Sequence, residues 1–294
     1  MRMVALDTSL RSTGVALVAA GQVVAETWIG SGHSSAACLL PALEGLLKAT
    51  GWSREMVEAI AVVTGPGSFT GLRIGVTTAK GLAYAWRVPV VGVTSLEVLA
   101  AEAAPLAVAW QRARPALAGR AGHPHLRPAP LIVPVVPSRR GECYLQVFTP
   151  PTPIPPLSAV EPEVSLAPAQ QLPEPLGKPQ VVSFSEWASG WWLPELPEVE
   201  ESVPVILVGP GSLTGELIRL WERSSLWFYT AELAIHPGIV GRVASVRISR
   251  WSAQKDAGES PFRDAMEIMP LYLGRREGEP GWPLSQHPTL PPSR

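Results

Sequence analysis

The stretch Gly65-Pro66-Gly67-Ser68-Phe69-Thr70-Gly71-Leu72-Arg73-Ile74-Gly75 lies between an apolar run, Ala59 to Val63, and an Ala/Leu-rich segment that reaches Trp86. That order predicts a strand, a glycine loop and a helix. Three glycines in seven residues open backbone conformations closed to other residues, and Pro66 fixes one dihedral, so the loop is shaped rather than loose. Ser68 is placed to cap the helix. Bare N–H groups at such a helix start can meet an anion or a partner. The spacing nevertheless fits neither common phosphate loop. A Walker loop ends in Gly-Lys-Ser/Thr, where this chain has Gly71-Leu72-Arg73, and the dinucleotide pattern sets its third glycine one residue earlier. A nucleophile elbow, Gly-x-Ser-x-Gly, is missed by one position.

Ahead of this stretch, Met3 to Leu6, Thr13 to Val18 and Gln22 to Trp28 read as three strands of an antiparallel meander, with turns at Ser9 to Ser12 and at Gly21. Ser34 to Ala49 spaces Ala36, Leu39, Leu40, Leu43, Leu46 and Leu47 as one helical face, with Gly51 as its stop. Behind the stretch, Val88 to Val93 is a strand and a Ser95-capped helix runs to Ala104. The order is βββαβαβα. Residues 105–130, with the run QRARPALAGRAGHPHLRPAP, lack periodicity and read as a Pro/Arg-rich insertion. Leu131 to Val136 and Tyr144 to Phe148 return as strands, and Pro134 and Pro137 predict an edge or interrupted strand. Val203 to Val208, Gly209-Pro210-Gly211 and a helix from Ser212 to Arg223 repeat the strand, glycine turn and helix of the first part in weaker form. Pro237 can start a last helix to about Trp251. The expected organisation is thus a first lobe over 1–104, the insertion over 105–130, a second lobe over 131–277 with a Pro-rich segment at 149–180, and a frayed tail over 278–294.

A chain of 294 residues with 46% hydrophobic content can build two modest cores. Its net charge is −1, and its 24 Lys and Arg residues are scattered, so a self-sufficient nucleic-acid binder is not expected and any such role would be shared with a partner. Two cysteines, Cys38 and Cys143, cannot make a disulfide framework; each lies in an apolar segment, as a buried thiol in a reducing compartment would. Asp7 interrupts the N-terminal apolar run before a leader's apolar core could form, and no run of about 18 apolar residues follows. The expectation is a cytoplasmic protein without membrane contact. Of five histidines, His33, His236 and His287 are isolated, and His123 with His125 lie in the insertion, so no metal site is expected.

The string from Gly65 to Gly81, GPGSFTGLRIGVTTAKG, resembles the signature of the TsaB family, also called YeaZ. The resemblance extends to Met3-Val4-Ala5-Leu6-Asp7-Thr8-Ser9 and Thr13 to Val18, to HSSAACLLPAL from His33 to Leu43, and to Val93-Thr94-Ser95-Leu96. Arg139-Arg140-Gly141-Glu142-Cys143-Tyr144 and Pro270-Leu271-Tyr272-Leu273 add to it, although Pro137 stands where the family has Asp. It is dense over residues 3–104 and sparse afterwards. It implies an α/β fold of the actin-like, ribonuclease-H-like (ASKHA) kind, two lobes of mixed sheet flanked by helices. It also implies a non-catalytic scaffold and activator in tRNA N6-threonylcarbamoyladenosine synthesis, dimerising with a catalytic TsaD subunit or with itself, alongside the TsaE ATPase, and meeting tRNA through the complex. No tightly bound cofactor is implied, with ATP and magnesium entering only in the assembled complex.

Two candidate sites follow. Asp7, Thr8 and Ser9 stand where the superfamily approaches nucleotide phosphates and their metal, so a vestigial nucleotide pocket is one reading, and a strand-ending turn is the other. Gly71, Gly75, Ala79 and Ala83 recur every four residues as a narrow face that admits another helix, either a partner's or the chain's own; the family resemblance implies a partner's. Arg73 opposes the helix dipole there, as it would beside an acidic partner. The signature loop itself is Gly65, Pro66, Gly67, Ser68 and Thr70. The alternative function is a stand-alone actin-like ATPase or small-molecule kinase using Asp7 and the Gly65 to Gly71 loop.

Overall fold

A computed structural model describes residues 1–10, 12–30, 35–118, 130–139, 141–151, 172–189, 204–221, 227–253, 260, 262–263 and 267–271. Strands β1 (Arg2–Asp7), β2 (Thr13–Ala19) and β3 (Gln22–Ile29) form the expected meander, followed by α1 (Ser35–Thr50), β4 (Ala59–Gly65), α2 (Phe69–Trp86), β5 (Val90–Thr94) and α3 (Ser95–Ala118). β1 pairs antiparallel with β2 and parallel with β4, giving the order β3-β2-β1-β4-β5. Strands buried on both faces need apolar residues at every position, and β4 is buried from end to end. The alternation of β1 then divides the core. Val4 and Leu6 pack with Leu39, Leu43 and Val76 on the α1 and α2 side. Met3 and Ala5 face a second cluster with Leu99, Ala103 and Val240.

The second lobe repeats this plan. It comprises β6 (Leu131–Pro137), β7 (Glu142–Leu145), β8 (Phe148–Thr149), β9 (Glu174–Pro175), β10 (Gln180–Ser183), α4 (Phe184–Ser189), β11 (Pro204–Gly209), α5 (Gly211–Leu220) and β12 (Trp227–Glu232). Its order β10-β7-β6-β11-β12 has the same two antiparallel and two parallel pairings as the first sheet. Pro210 joins β11 to α5, which begins at Gly211, where Pro66-Gly67-Ser68 joins β4 to α2 in the first lobe.

Three sequence expectations need correction. The helix expected to stop at Ala104 continues to Ala118, so 105–118 is not an insertion, and residues 119–129 lie outside the described residues. Pro105 misleads because it reads as a breaker; here its exposed position in α3 forfeits one backbone hydrogen bond while Ala103 and Ala107 are wholly buried. Next, β6 is central rather than an edge, lying between β7 and β11. On its antiparallel side it pairs with β8 at Ile132 and with β7 only from Val135, so Pro134 falls where the ladder changes partner. Lastly, Thr94 rather than Ser95 caps α3: its hydroxyl accepts the Glu97 N–H at 3.1 Å, while the Glu97 carboxylate accepts the Thr94 N–H at 2.8 Å.

The last helix, α6 (Pro237–Ala253), starts at Pro237 as expected but lies on the first lobe's sheet, across β1, β2 and β3. Close approach explains its glycines. A Cβ on Gly238 would meet Val23 at 2.6 Å, and one on Gly241 would meet Val18 at 2.5 Å. Short strand β13 (Phe262–Arg263) pairs antiparallel with β5 at the other edge. Residues 149–151 and 172–180 of the Pro-rich segment are described in part, and the tail over 278–294 lies outside the described residues.

Candidate functional site

The glycine loop meets the turn that follows β1. Asp7 is 1% exposed, and one carboxylate oxygen accepts both the Ser9 N–H at 2.8 Å and the Ser9 hydroxyl at 2.6 Å. Its other oxygen, Oδ2, is buried without a hydrogen-bond partner. Burial therefore pushes the Asp7 carboxyl up to about 6, against the opposing pull of the Ser9 hydrogen bonds. Thr8 donates its hydroxyl to the Gly71 carbonyl at 2.7 Å, and Ser68 donates its N–H to the Ser9 carbonyl at 2.7 Å. Ser68 caps α2 as the sequence predicts, its hydroxyl accepting the Gly71 N–H at 3.2 Å.

The loop is thereby filled by the chain itself. A Cβ on Gly67 would strike the Ser9 carbonyl, and one on Gly71 the Thr8 carbonyl. Ser95 donates its hydroxyl to the Pro66 carbonyl, and Leu271 N–H donates to the Thr64 carbonyl at 2.6 Å, bringing the C-terminal segment over the strand end. Gly65, with φ +118°, needs glycine for its backbone alone. Thr70 is exposed at the outer side of the loop.

The Asp7, Thr8 and Ser9 turn thus serves as the plug of the loop. The amides of Ser68 and Gly71 are taken by these contacts, and backbone carbonyls of the turn lie where a side chain at Gly67 or Gly71 would begin.

The small-residue face is likewise turned inward. Gly71, Gly75, Ala79 and Ala83 are all buried, with Gly75 against the Thr8 hydroxyl and Ala79 and Ala83 in the core with Val4 and Leu39. The expectation that this face receives a partner helix is corrected: it fits the chain's own β1 turn and core. The outward face of α2 carries Phe69, Thr70, Arg73, Thr77 and Tyr84 instead. Arg73 stacks its guanidinium 3.8 Å from the Phe69 ring centroid, an internal contact that offsets its unfavourable place in the helix dipole.

His236 forms a site the sequence did not reveal. Its Nδ1 lies 2.9 Å from Glu102 Oε1, its ring meets Trp28 edge-on at 5.2 Å, and Glu26 accepts the Gly238 N–H at 2.9 Å. Two carboxylates thus sit at the start of α6, where the helix dipole favours them. Burial raises the Glu102 carboxyl, His236 opposes that shift, and Glu26 adds to it. These residues are far apart in sequence, so no local motif could have signalled them. His33, His123, His125 and His287 lie outside the described residues. Cys143 is buried and its thiol is pushed up to about 12 by that burial and by Glu142, whereas Cys38 is only partly buried. Glu142 follows a tight turn in which its N–H donates to the Arg139 carbonyl at 3.0 Å.

Two lobes, each a three-strand meander extended by two parallel strands, with the glycine loop at the strand ends of the first, define a protein of the actin-like class. The family model described as "TsaD: tRNA N6-adenosine threonylcarbamoyltransferase" matches residues 31–146. The tRNA threonylcarbamoyladenosine biosynthesis protein TsaB of Bacillus subtilis (strain 168) is 43% identical over 103 residues, which are 34% of this chain and 44% of that protein. TsaB of Escherichia coli (strain K12) is 37% identical over 100 residues, 34% of this chain and 43% of that protein. The chain thus spans less than half the length of the curated relatives it matches. YeaZ from Pseudomonas aeruginosa shares the fold, with a TM-score of 0.63 and 21% identity over 92% of this chain and 99% of that one. The chain is thus similar in sequence to TsaB proteins over about a third of its length, and it shares the fold of YeaZ over nearly all of it.

Among the described residues, no helix is long and apolar enough to cross a membrane.

Proposed function

We propose that this chain is the non-catalytic, scaffolding and activating subunit of a tRNA N6-threonylcarbamoyladenosine assembly, working in the cytoplasm. Its partner is a TsaD-type subunit that carries the transfer, with a TsaE-type ATPase and tRNA joining through the complex; ATP and magnesium belong to that assembly rather than to this chain. The observation that carries the reading is the 43% identity to TsaB over 103 residues. Two features of the site support it. The loop at the head of α2 is packed by the turn from Asp7 to Ser9, which suits a structural brace, and the outward face of the same helix presents Phe69 and Tyr84, 50% and 80% exposed, as anchors for a partner.

The test is reconstitution with the TsaD-type protein of the same genome. The two should co-elute, and tRNA should be modified only when both are supplied with the ATPase and the substrates. Turnover by this chain alone, or ATP hydrolysis abolished by Asp7→Ala, would instead establish the stand-alone enzyme.

A further inference from the structure

Residues 267–271 return to the first lobe from far along the chain and lie against β4 and β5. Ile268, 6% exposed, enters the core with Val62, Val76, Ala79 and Val90. Three residues on, the Leu271 N–H bonds to the Thr64 carbonyl at 2.6 Å, at the residue before Gly65. Two glycines make the seat. A Cβ on Gly92 would stand 2.7 Å from Ile268 Cδ1, and one on Gly65 would stand 3.0 Å from the Leu271 carbonyl oxygen. Between these anchors Met269 is 64% exposed, and Lys80 of α2 donates to its sulfur at 3.9 Å. Ile268 to Leu271 also line an open cavity of about 540 Å³ together with Thr94, Arg247 and Trp251. The segment is a strap, seated among the described residues by one buried side chain and one backbone bond, with open space beside it. Its release exposes far less apolar surface than opening the sheet, so it is the cheaper of the two motions.

The seat adjoins the head of α2. From the bonded Thr64 carbonyl the chain runs through Gly65, Pro66 and Gly67 to the Ser68 cap and Phe69, so the strap grips the entry to the glycine loop. Met269, beside Lys80, lies along the same helix that presents Phe69 and Tyr84. We propose that the strap is a clasp coupled to partner binding: seated, it fixes the loop and with it the start of α2, and a TsaD-type partner resting on α2 holds the strap down in turn. Such coupling is reciprocal, because whatever favours pairing in the seated state must favour seating in the paired state. The identity of the partner rests on the function proposed above, while the seat of the strap does not.

The experiment follows amide hydrogen exchange in the full chain, alone and paired with the TsaD-type protein of the same genome. In the chain alone the Leu271 amide should exchange about tenfold or more faster than the amides of β4 and β5. Pairing should slow it about tenfold. Ile268→Ala, which loosens the strap, should weaken pairing about tenfold while β4 and β5 stay protected. Gly92→Ala pushes on Ile268 Cδ1 from the sheet and should act in the same direction. Adding Ile268→Val to it removes that atom and should restore pairing in part, since the new Cβ also meets Thr64 Cγ2 at 2.9 Å. A Leu271 amide that exchanges only together with β4 and β5, or at a rate that pairing leaves unchanged, overturns the proposal. So does wild-type affinity in both Ile268→Ala and Gly92→Ala, or weakened pairing in which β4 and β5 lose protection as well, because the strap would then be plain core. A wild-type chain that does not pair overturns the proposed function and the coupling together, whereas normal pairing that ignores the strap overturns the coupling alone.

Discussion

Asp7 illustrates at the residue scale how position can outweigh residue type. The sequence places a carboxylate at a strand end beside two hydroxyls, and that much is legible; its burial is not, because the loop that this turn plugs, with Gly67, Ser68 and Gly71, lies some sixty residues away. With its carboxyl raised to about 6, Asp7 contributes stability that is fully present below its unfolded value near 4 and lost as pH rises through 6, an effect of up to about 3 kcal/mol. Wild-type protein should therefore gain stability relative to Asp7→Asn between about pH 7.5 and pH 5, read as the difference in urea midpoints; equal pH profiles would show a solvated carboxylate. Gly75 follows the same logic. Its place against the Thr8 hydroxyl means that Gly75→Leu should lose about 1 to 3 kcal/mol through overpacking, less up to about 1 kcal/mol from helix propensity. The loss should appear in the melting temperature of the monomer. A variant that melts like wild type yet fails to pair would return this face to a partner.

Among the elements, strongly periodic segments were readable and the exceptions have physical causes. The meander, α1, β4, α2 and β5 follow from alternation, burial runs and helical spacing because each is decided by local pattern. The length of α3 is decided by distant packing on β6, β11 and α6, which no local window contains. Likewise, the small-residue stripe of α2 was visible in the sequence, but periodicity says only that something approaches closely, and here it is the Thr8 turn. Helix α3 offers a direct test. Pro105 is exposed in its interior, so Pro105→Ala should restore a backbone hydrogen bond and stabilise the protein by up to about 3 kcal/mol. Thermal melting at matched concentration would show the rise, and a fall or no change would mean that the helix breaks where the sequence first suggested.

On the scale of the molecule, the two lobes are not independent bodies in their packing. Met3, Ala5 and Val18 of the first lobe share one core with Ile132, Val136, Ile206 and Val208 of the second, joined through Leu99, Ala103, Val240 and Ala244 on α3 and α6. Helix α6 closes the first lobe from far along the chain, seated over Val18 and Val23 and tied by Glu26 and by the Glu102 contact with His236. A fragment of residues 1–118 would leave the α6 side of β1, β2 and β3 bare and expose apolar surface that a stable domain must bury. It should therefore show no cooperative thermal transition and bind a hydrophobic dye, whereas the full chain should melt with coincident circular dichroism and tryptophan fluorescence transitions. Adding a peptide spanning residues 233–253 should restore part of the transition, since Pro237 to Ala253 supplies the missing face. A fragment that folds cooperatively without the peptide would make the lobes separable and leave α6 an accessory to the first of them.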